Sequence, residues 1–312
     1  MNRLCSATLY IRTMNEGSPL KPEEIDALLN LIDDPDDQIY TQVRDQIVSL
    51  GASVIPKLEL FWEDQEPGDV FQRRIEDIIH EIQFSSVEQS LKDWHESGAE
   101  SLLEGALIIN RYQYPELDET EIRETIARIR QDIWLELNDN LTSFEQVRVM
   151  NEIIFNVHGF KGNKKNYHAP QNSYLSHVLE SKRGNPLSLS MLYIILAESL
   201  DVPIFGVNLP HHFILAYEDR FNIYRETDTA NKERKVLFYM DAFSKGTLLN
   251  RAEIVRFLKR QKLEPKPEYF MPCDNSVMMV RCIHNLIFAY QHAGEEAKIE
   301  ELKKLLAIFS AA

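Results

Sequence analysis

Cysteine is scarce in this chain, with Cys5, Cys273 and Cys282 the only three among 312 residues. They lie far apart, show no metal-ligand spacing and are odd in number. That pattern does not suggest a disulfide framework, and a reducing cytoplasm is the simpler expectation. Long apolar runs are missing too: no stretch of about 18 apolar residues exists, so no membrane-spanning helix is expected. The opening "MNRLCSATLYIRTMNEG" is too mixed and too evenly charged for a secretory signal. Positive charge is in deficit, 34 Lys and Arg against 49 Asp and Glu, for a net charge of −15. A nucleic-acid binder carries a basic footprint. The short basic clusters here, Lys161, Lys164 and Lys165, then Lys232, Arg234 and Lys235, read as solvated loop charge. Nucleic acid and membrane are therefore not expected as partners.

What is present first is helical periodicity. "PEEIDALLNLID" begins with Pro22 and an acidic turn and places Ile25, Leu28, Leu29 and Ile32 on one face. "IYTQVRDQIVSLG" aligns Ile39, Val43, Ile47 and Leu50, with Gly51 as its stop. Spacings of three and four mark a helix with one face on a core. A glycine just past the stripe takes up the left-handed conformation that closes a helix. "DETEIRETIARIRQDIWLEL" continues with Ile122, Ile126, Ile129 and Ile133. In "LTSFEQVRVMNEIIFNVHGF", Thr142 and Glu145 have capping-box spacing, ahead of a face formed by Phe144, Val147, Met150, Ile154 and Val157. The alternating short helices resemble HEAT repeats, but about two units make a capped helical domain rather than a solenoid.

The texture changes after Pro203. "IFGVN", "HFILAYE" and "KVLFYMD" are β-branched and aromatic runs between breakers, which predicts strands, with "RETDTANKERK" as a hairpin loop. Helices return in "NRAEIVRFLKRQ", and the last stretch reads as two helices around Ala293-Gly294, like one TPR unit. The expected class is α+β. Residues 1–135 form a HEAT-like helical domain, 136–265 a core with an antiparallel sheet, and 266–312 a TPR-like tail.

Between these textures lies "RGNPLSLSMLYIILAESLDVP", residues 183–203. Gly184-Asn185 breaks the chain, and Pro186 stands at the first helical position, where a missing N–H costs nothing. Leu189, Leu192, Ile195, Leu196 and Leu200 follow at helical spacing. Polar residues gather at Asn166–Asn172, Arg183-Gly184-Asn185, His211-His212 and Asp241. Asn172 and Asn185 suit a turn and a cap. Arg183 is either a surface residue or an anchor for the Asp241 carboxylate. His211 and His212, read as adjacent strand residues, point to opposite faces, so only one enters a site and no metal is expected. His168 and His177 read as incidental.

The segments "NSYL", "RGNPLSLS", "GVNLPHHF" and "MDAFSKG" occur in an order and spacing that resemble a bacterial, TPR-associated transglutaminase-like family described as regulators of sirC expression. The resemblance covers about residues 145–260 well and the helical ends more weakly. It implies a papain-like core. In such cores a Cys at the tip of a buried helix is the nucleophile, a strand His the base, and an Asp the group that orients it. In that superfamily the Cys follows a Gly by two residues and precedes the Pro of a helix-exit turn by seventeen. Both rules land on Pro186, and the matching His and Asp are His212 and Asp241. Ser188 and Ser190 do not replace the nucleophile. The first points about 200° away around the helix, and the second lies one turn deeper.

The resemblance therefore leads to a protein without its nucleophile. The expected function is a non-catalytic binding or regulatory module, probed through Asn185, Asn172, Arg183 and the amides of Leu187 and Ser188. The ligand expected there is an anionic or carbonyl oxygen, and the partner a protein or peptide. Two alternatives remain at this level: a hydrolase using His212 and Asp241 without a Cys, or a structural scaffold. No cofactor is expected.

Overall fold

The computed structural model describes residues 22–63, 69–219 and 236–310. Cys5, the N-terminal stretch and the expected hairpin loop at 225–235, with its basic cluster, lie outside the described residues. The chain divides into two compact units between Ser90 and Leu91.

In the first unit, α1 (Pro22–Leu29), α2 (Asp37–Ser49) and α3 (Ile55–Glu63) precede the long helix α4 (Asp69–Glu96). The stripes converge as their spacing requires: Leu28, Leu29, Ile32, Ile39, Val43 and Ile47 are buried together with Leu58, Ile75 and Ile78. Asp36 caps α2 by accepting from the Gln38 N–H at 2.9 Å. Gly51 has φ +68°, the left-handed conformation expected of the stop.

The second unit takes in the end of α4 from Leu91 and continues with α5 (Leu102–Gln113), α6 (Glu119–Glu136) and α7 (Ser143–Asn151). Ile122, Ile126, Ile129 and Ile133 are all buried, and the Thr142–Glu145 capping box forms in both directions. Among the described residues, none from 22 to 135 lies in a strand. The face expected beyond Met150 needs correction. The helix passes into a π turn over Glu152–Val157, and Phe155 is buried while Val157 is 61% exposed. Bonds from i to i+5 shift the apolar stripe by about one residue, which brings Phe155 to the core and turns Val157 outward. Phe144 is also exposed, and its ring stacks on Phe238 at 4.4 Å between centroids.

Next come a two-residue strand β1 (Lys161–Gly162), the helix α8 (Leu175–Ser181), a partner strand β2 (Arg183–Gly184), parallel to β1, and the helix α9 (Pro186–Glu198). Every residue of α9 from Pro186 to Ala197 is buried. A helix apolar on all sides belongs in a core. This one packs on β3 (Ile204–Leu209) and β4 (His212–Glu218) and touches α5, α6 and α8. The strands β5 (Val236–Asp241) and β6 (Thr247–Leu249) complete an antiparallel sheet ordered β3-β4-β5-β6. Its other face is covered by α10 (Arg251–Arg260), where Ile214, Ala216 and Tyr239 meet Ile254 and Leu258. Cover on both faces is why Phe213 to Tyr217 form one buried run rather than an alternating one.

The chain ends with α11 (Asn275–Ala293), which also packs on α9, and α12 (Glu296–Ala307), joined at Gly294 with φ +76°. Tyr290 on α11 bonds the Tyr174 hydroxyl at 3.0 Å and donates to Gln113 at 2.7 Å, which ties the tail to the core. The class is α+β, with a helical N-terminal region, as the sequence predicts. No helix among the described residues is long and apolar enough to cross a membrane.

Candidate functional site

The site is organised by the turn into α9. The Asn185 N–H donates to Ser188 Oγ at 3.0 Å, and the Ser188 N–H donates to Asn185 Oδ1 at 2.9 Å, a reciprocal cap. Asn185 Nδ2 donates to Ser173 Oγ at 3.0 Å. Pro186 follows at the first helical position. The Asn185 side chain is thus committed to holding the turn. Of the two amides expected to face a ligand, that of Ser188 is already bonded, and the Leu187 N–H is the one left at the helix tip. Ser190 is back-bonded, donating to the Pro186 carbonyl at 2.7 Å.

Gly184 is required by close approach rather than by its dihedral angle. A Cβ there would meet Ser188 Oγ at 2.6 Å and the Leu189 side chain at 3.1 Å. Gly184→Ala is expected to push Ser188 out of its cap and lower stability by about 1–2 kcal/mol, measured by urea unfolding. A change below about 0.3 kcal/mol would show that the turn yields without cost.

His212 opens β4 and Asp241 closes the neighbouring antiparallel β5, with His212 Nε2 3.2 Å from Asp241 Oδ2. Asp241 Oδ1 also accepts from the amides of Phe243 at 2.9 Å and Ser244 at 3.3 Å, and Oδ2 accepts from the Ser244 hydroxyl at 2.8 Å. Burial alone would raise the Asp241 carboxyl, but the His212 imidazole and the Ser244 donors outweigh it and hold the group below the usual carboxylate range. With Nε2 on the carboxylate, Nδ1 is the remaining ring nitrogen, and it makes no hydrogen bond among the described residues.

His211 is not a strand residue. Leu209 pairs with His212, which leaves Pro210-His211 as the two central residues of the β3–β4 turn, and His211 has φ +61°. Proline followed by a positive φ is the pattern of a type II turn. Strand alternation does not reach His211, so both histidines line the same cavity.

That cavity, about 430 Å³, lies beside the tip of α9 and is lined by Pro186, Leu187 and His212 together with Arg281 and Phe288 of α11. Tyr167 and His168 close it from the loop before α8, and the His168 ring lies parallel to His292 at 5.3 Å. A second cavity, about 680 Å³, opens on the other side of the His212–Asp241 pair, against Phe257 and Arg260 of α10.

The remaining residues singled out in the sequence lie elsewhere. Asn172 is buried and spends its side chain inside the loop: Oδ1 accepts from Asn163 Nδ2 at 2.9 Å, and Nδ2 donates to the carbonyls of Asn166 at 2.6 Å and Tyr167 at 3.0 Å. It shapes the segment that presents Tyr167 and His168 without lining the cavity. Arg183 is exposed on β2 and forms no ion pair with Asp241. Cys273 and Cys282 lie outside this cavity, and burial pushes both thiols up to about 12. Sequence reasoning set His168 aside and missed Tyr167, Arg281 and Phe288. The one signal for Arg281 was a lone cation inside the apolar run "VMMVRCIHNLIF". Among the described residues, no cluster of three His, Cys, Asp or Glu side chains is placed to hold a metal ion.

A UPF0162 protein of Xylella fastidiosa (strain 9a5c) is 26% identical over 211 residues, covering 62% of this chain and 66% of that protein. A UPF0162 protein of Vibrio cholerae is 27% identical over 186 residues, covering 59% and 64%. F-box only protein 21 of Homo sapiens is 29% identical over 173 residues, covering 48% of this chain and 26% of that protein. The chain thus spans less than two thirds of the length of each of these relatives. No solved structure matches it. The profile of the transglutaminase-like superfamily matches residues 120–284, more than half of the sequence and the whole stretch from α6 through the sheet to Arg281, and the chain belongs to that superfamily.

Proposed function

We propose that this chain is a transglutaminase-like protein without a nucleophile, serving as a non-catalytic binding or regulatory module. Pro186 at the tip of α9, in one cavity with His212, is the observation that carries this reading. Proline has neither a nucleophilic atom nor an N–H, and it stands where the family resemblance implies cysteine. The retained His212–Asp241 pair supports binding, because a desolvated pair can often be replaced by apolar groups at little cost or with a gain in stability. A ligand oxygen held by His212 and the Leu187 N–H gives the pair a reason to persist. In this reading the core of residues 136–265 supplies the helix tip and the pair, the tail of 266–312 supplies part of the wall, and the partner is a protein or peptide segment. Asn172 and Asn185 position the site, and no metal or cofactor takes part.

A hydrolase that activates water through His212 is the second reading, favoured by Nδ1, which bonds to nothing among the described residues, on a residue that lines the cavity. Thermal-shift measurements with short peptides, run alongside hydrolysis of a peptide amide, separate the two. The binding reading expects ligand-dependent stabilisation that His212→Ala abolishes, without turnover. Turnover lost in His212→Ala establishes the hydrolase. If no peptide stabilises the protein and His212→Ala only lowers Tm, the pair is structural.

A further inference from the structure

The cavity at the tip of α9 contains a cation that no group of the described protein neutralises. Arg281 is half-buried on α11. Its Nη1 donates to Asn208 Oδ1 at 3.0 Å and to the Leu209 carbonyl at 3.2 Å, and its Nε makes a long contact with Asn285 Oδ1 at 3.4 Å. All three acceptors are neutral. Among the described residues, Nη2 bonds to nothing and Arg281 forms no ion pair. Around it the cavity wall carries His168, His211 and His212 and no Asp or Glu, in a chain with 49 acidic against 34 basic side chains. A cationic pocket with no carboxylate of its own is arranged for an anion. The neutral acceptors on Nη1 and Nε fix the guanidinium plane, which leaves the N–H groups of Nη2 to meet an anionic oxygen.

The neighbouring wall defines the rest of the ligand. Phe288 is 46% exposed and Tyr167 is 40% exposed, and the His168 ring lies 5.4 Å from Phe288. Exposed aromatic rings beside a fixed cation form an apolar subsite next to a polar one. A volume of about 430 Å³ admits one or two residues, not a folded domain. We infer that this cavity binds a carboxylate borne next to an apolar or aromatic side chain, with the carboxylate on Arg281 and the side chain against Phe288 and Tyr167. The inference rests on the reading of the site as one that binds.

A peptide C-terminus and a free N-acyl amino acid share this chemistry. The test uses N-acetyl-phenylalanine, its primary amide, and a tetrapeptide ending in free phenylalanine, titrated into the whole protein by calorimetry. The acid is expected to bind at least about tenfold more tightly than the amide. A tetrapeptide tighter than the single residue identifies a peptide C-terminus as the ligand, and equal affinity identifies a small free acid. Arg281→Gln is expected to bring the acid down to the affinity of the amide, and Arg281→Lys to keep part of the preference. The comparison of acid with amide on the unmodified protein stands even if Arg281→Gln weakens the fold. Equal binding of acid and amide, an acid preference that survives in Arg281→Gln, or no binding up to about 10 mM overturns the inference. Equal binding leaves the module reading standing. Cleavage of the tetrapeptide by the protein overturns the module reading instead and leaves the assignment of Arg281 to be judged by the acid preference.

Discussion

Replacing Pro186 with cysteine is expected to create a reactive thiol where the native chain has none. The substituted position opens a buried helix and shares a cavity wall with His212. The positive end of a helix and a nearby imidazole both favour a thiolate, and such thiols titrate well below the ordinary value of about 8.5. At pH 6 the Pro186→Cys protein is expected to react with iodoacetamide roughly a hundredfold faster than an unperturbed thiol, and His212→Ala in that background to remove most of the gain. The native Cys273 and Cys282, both held up to about 12 by burial, are expected to stay unlabelled under the same conditions. Peptide mapping by mass spectrometry locates the adducts. Labelling of Pro186→Cys at the rate of a free thiol would show that α9 and His212 do not form the constellation that the resemblance implies. A His212-dependent adduct on the unmodified protein would show that another cysteine is activated.

Asp241→Ala is expected to cost about 3 kcal/mol of stability, because the carboxylate does several jobs at once. It caps the turn through the amides of Phe243 and Ser244, accepts from the Ser244 hydroxyl, and pairs with His212. A lost cap is worth about 1 kcal/mol and a hydrogen bond involving a charged group about 1.5–3 kcal/mol. The pH dependence has a definite sign. The folded carboxyl is held below its unfolded value of about 3.9, so its contribution is complete above that value and disappears as pH falls through the folded value. The stability difference between the native protein and Asp241→Asn is therefore expected to be constant near neutrality and to shrink below about pH 4. A difference that stays flat from about pH 7 to pH 3 would mean that the charge of Asp241 contributes nothing to the fold.

Much of the fold was legible residue by residue. The stripes of Ile39, Val43 and Ile47 and of Ile122, Ile126, Ile129 and Ile133 are buried as their spacing requires. Thr142, Asn185 and Pro186 occupy the cap and first-turn positions read from the sequence. These features are local. A helix face repeats every three or four residues, and a cap is complete within four, so the information sits inside one short window.

By itself, then, the sequence determined the elements, the order of helix tip, His212 and Asp241, and the proline at that tip. Tertiary structure alone decided what surrounds them. It brought Arg281 and Phe288 from α11, and Tyr167 and His168 from the loop before α8, into one cavity with Pro186. It consumed Asn172 inside its loop, left Arg183 in solvent, turned His211 out of the strand and moved the stripe of α7 onto Phe155. The π turn and the positive φ of His211 depend on what each segment packs against. The cavity depends on contacts between segments far apart in the chain, and neither kind of information has a period that a single sequence displays.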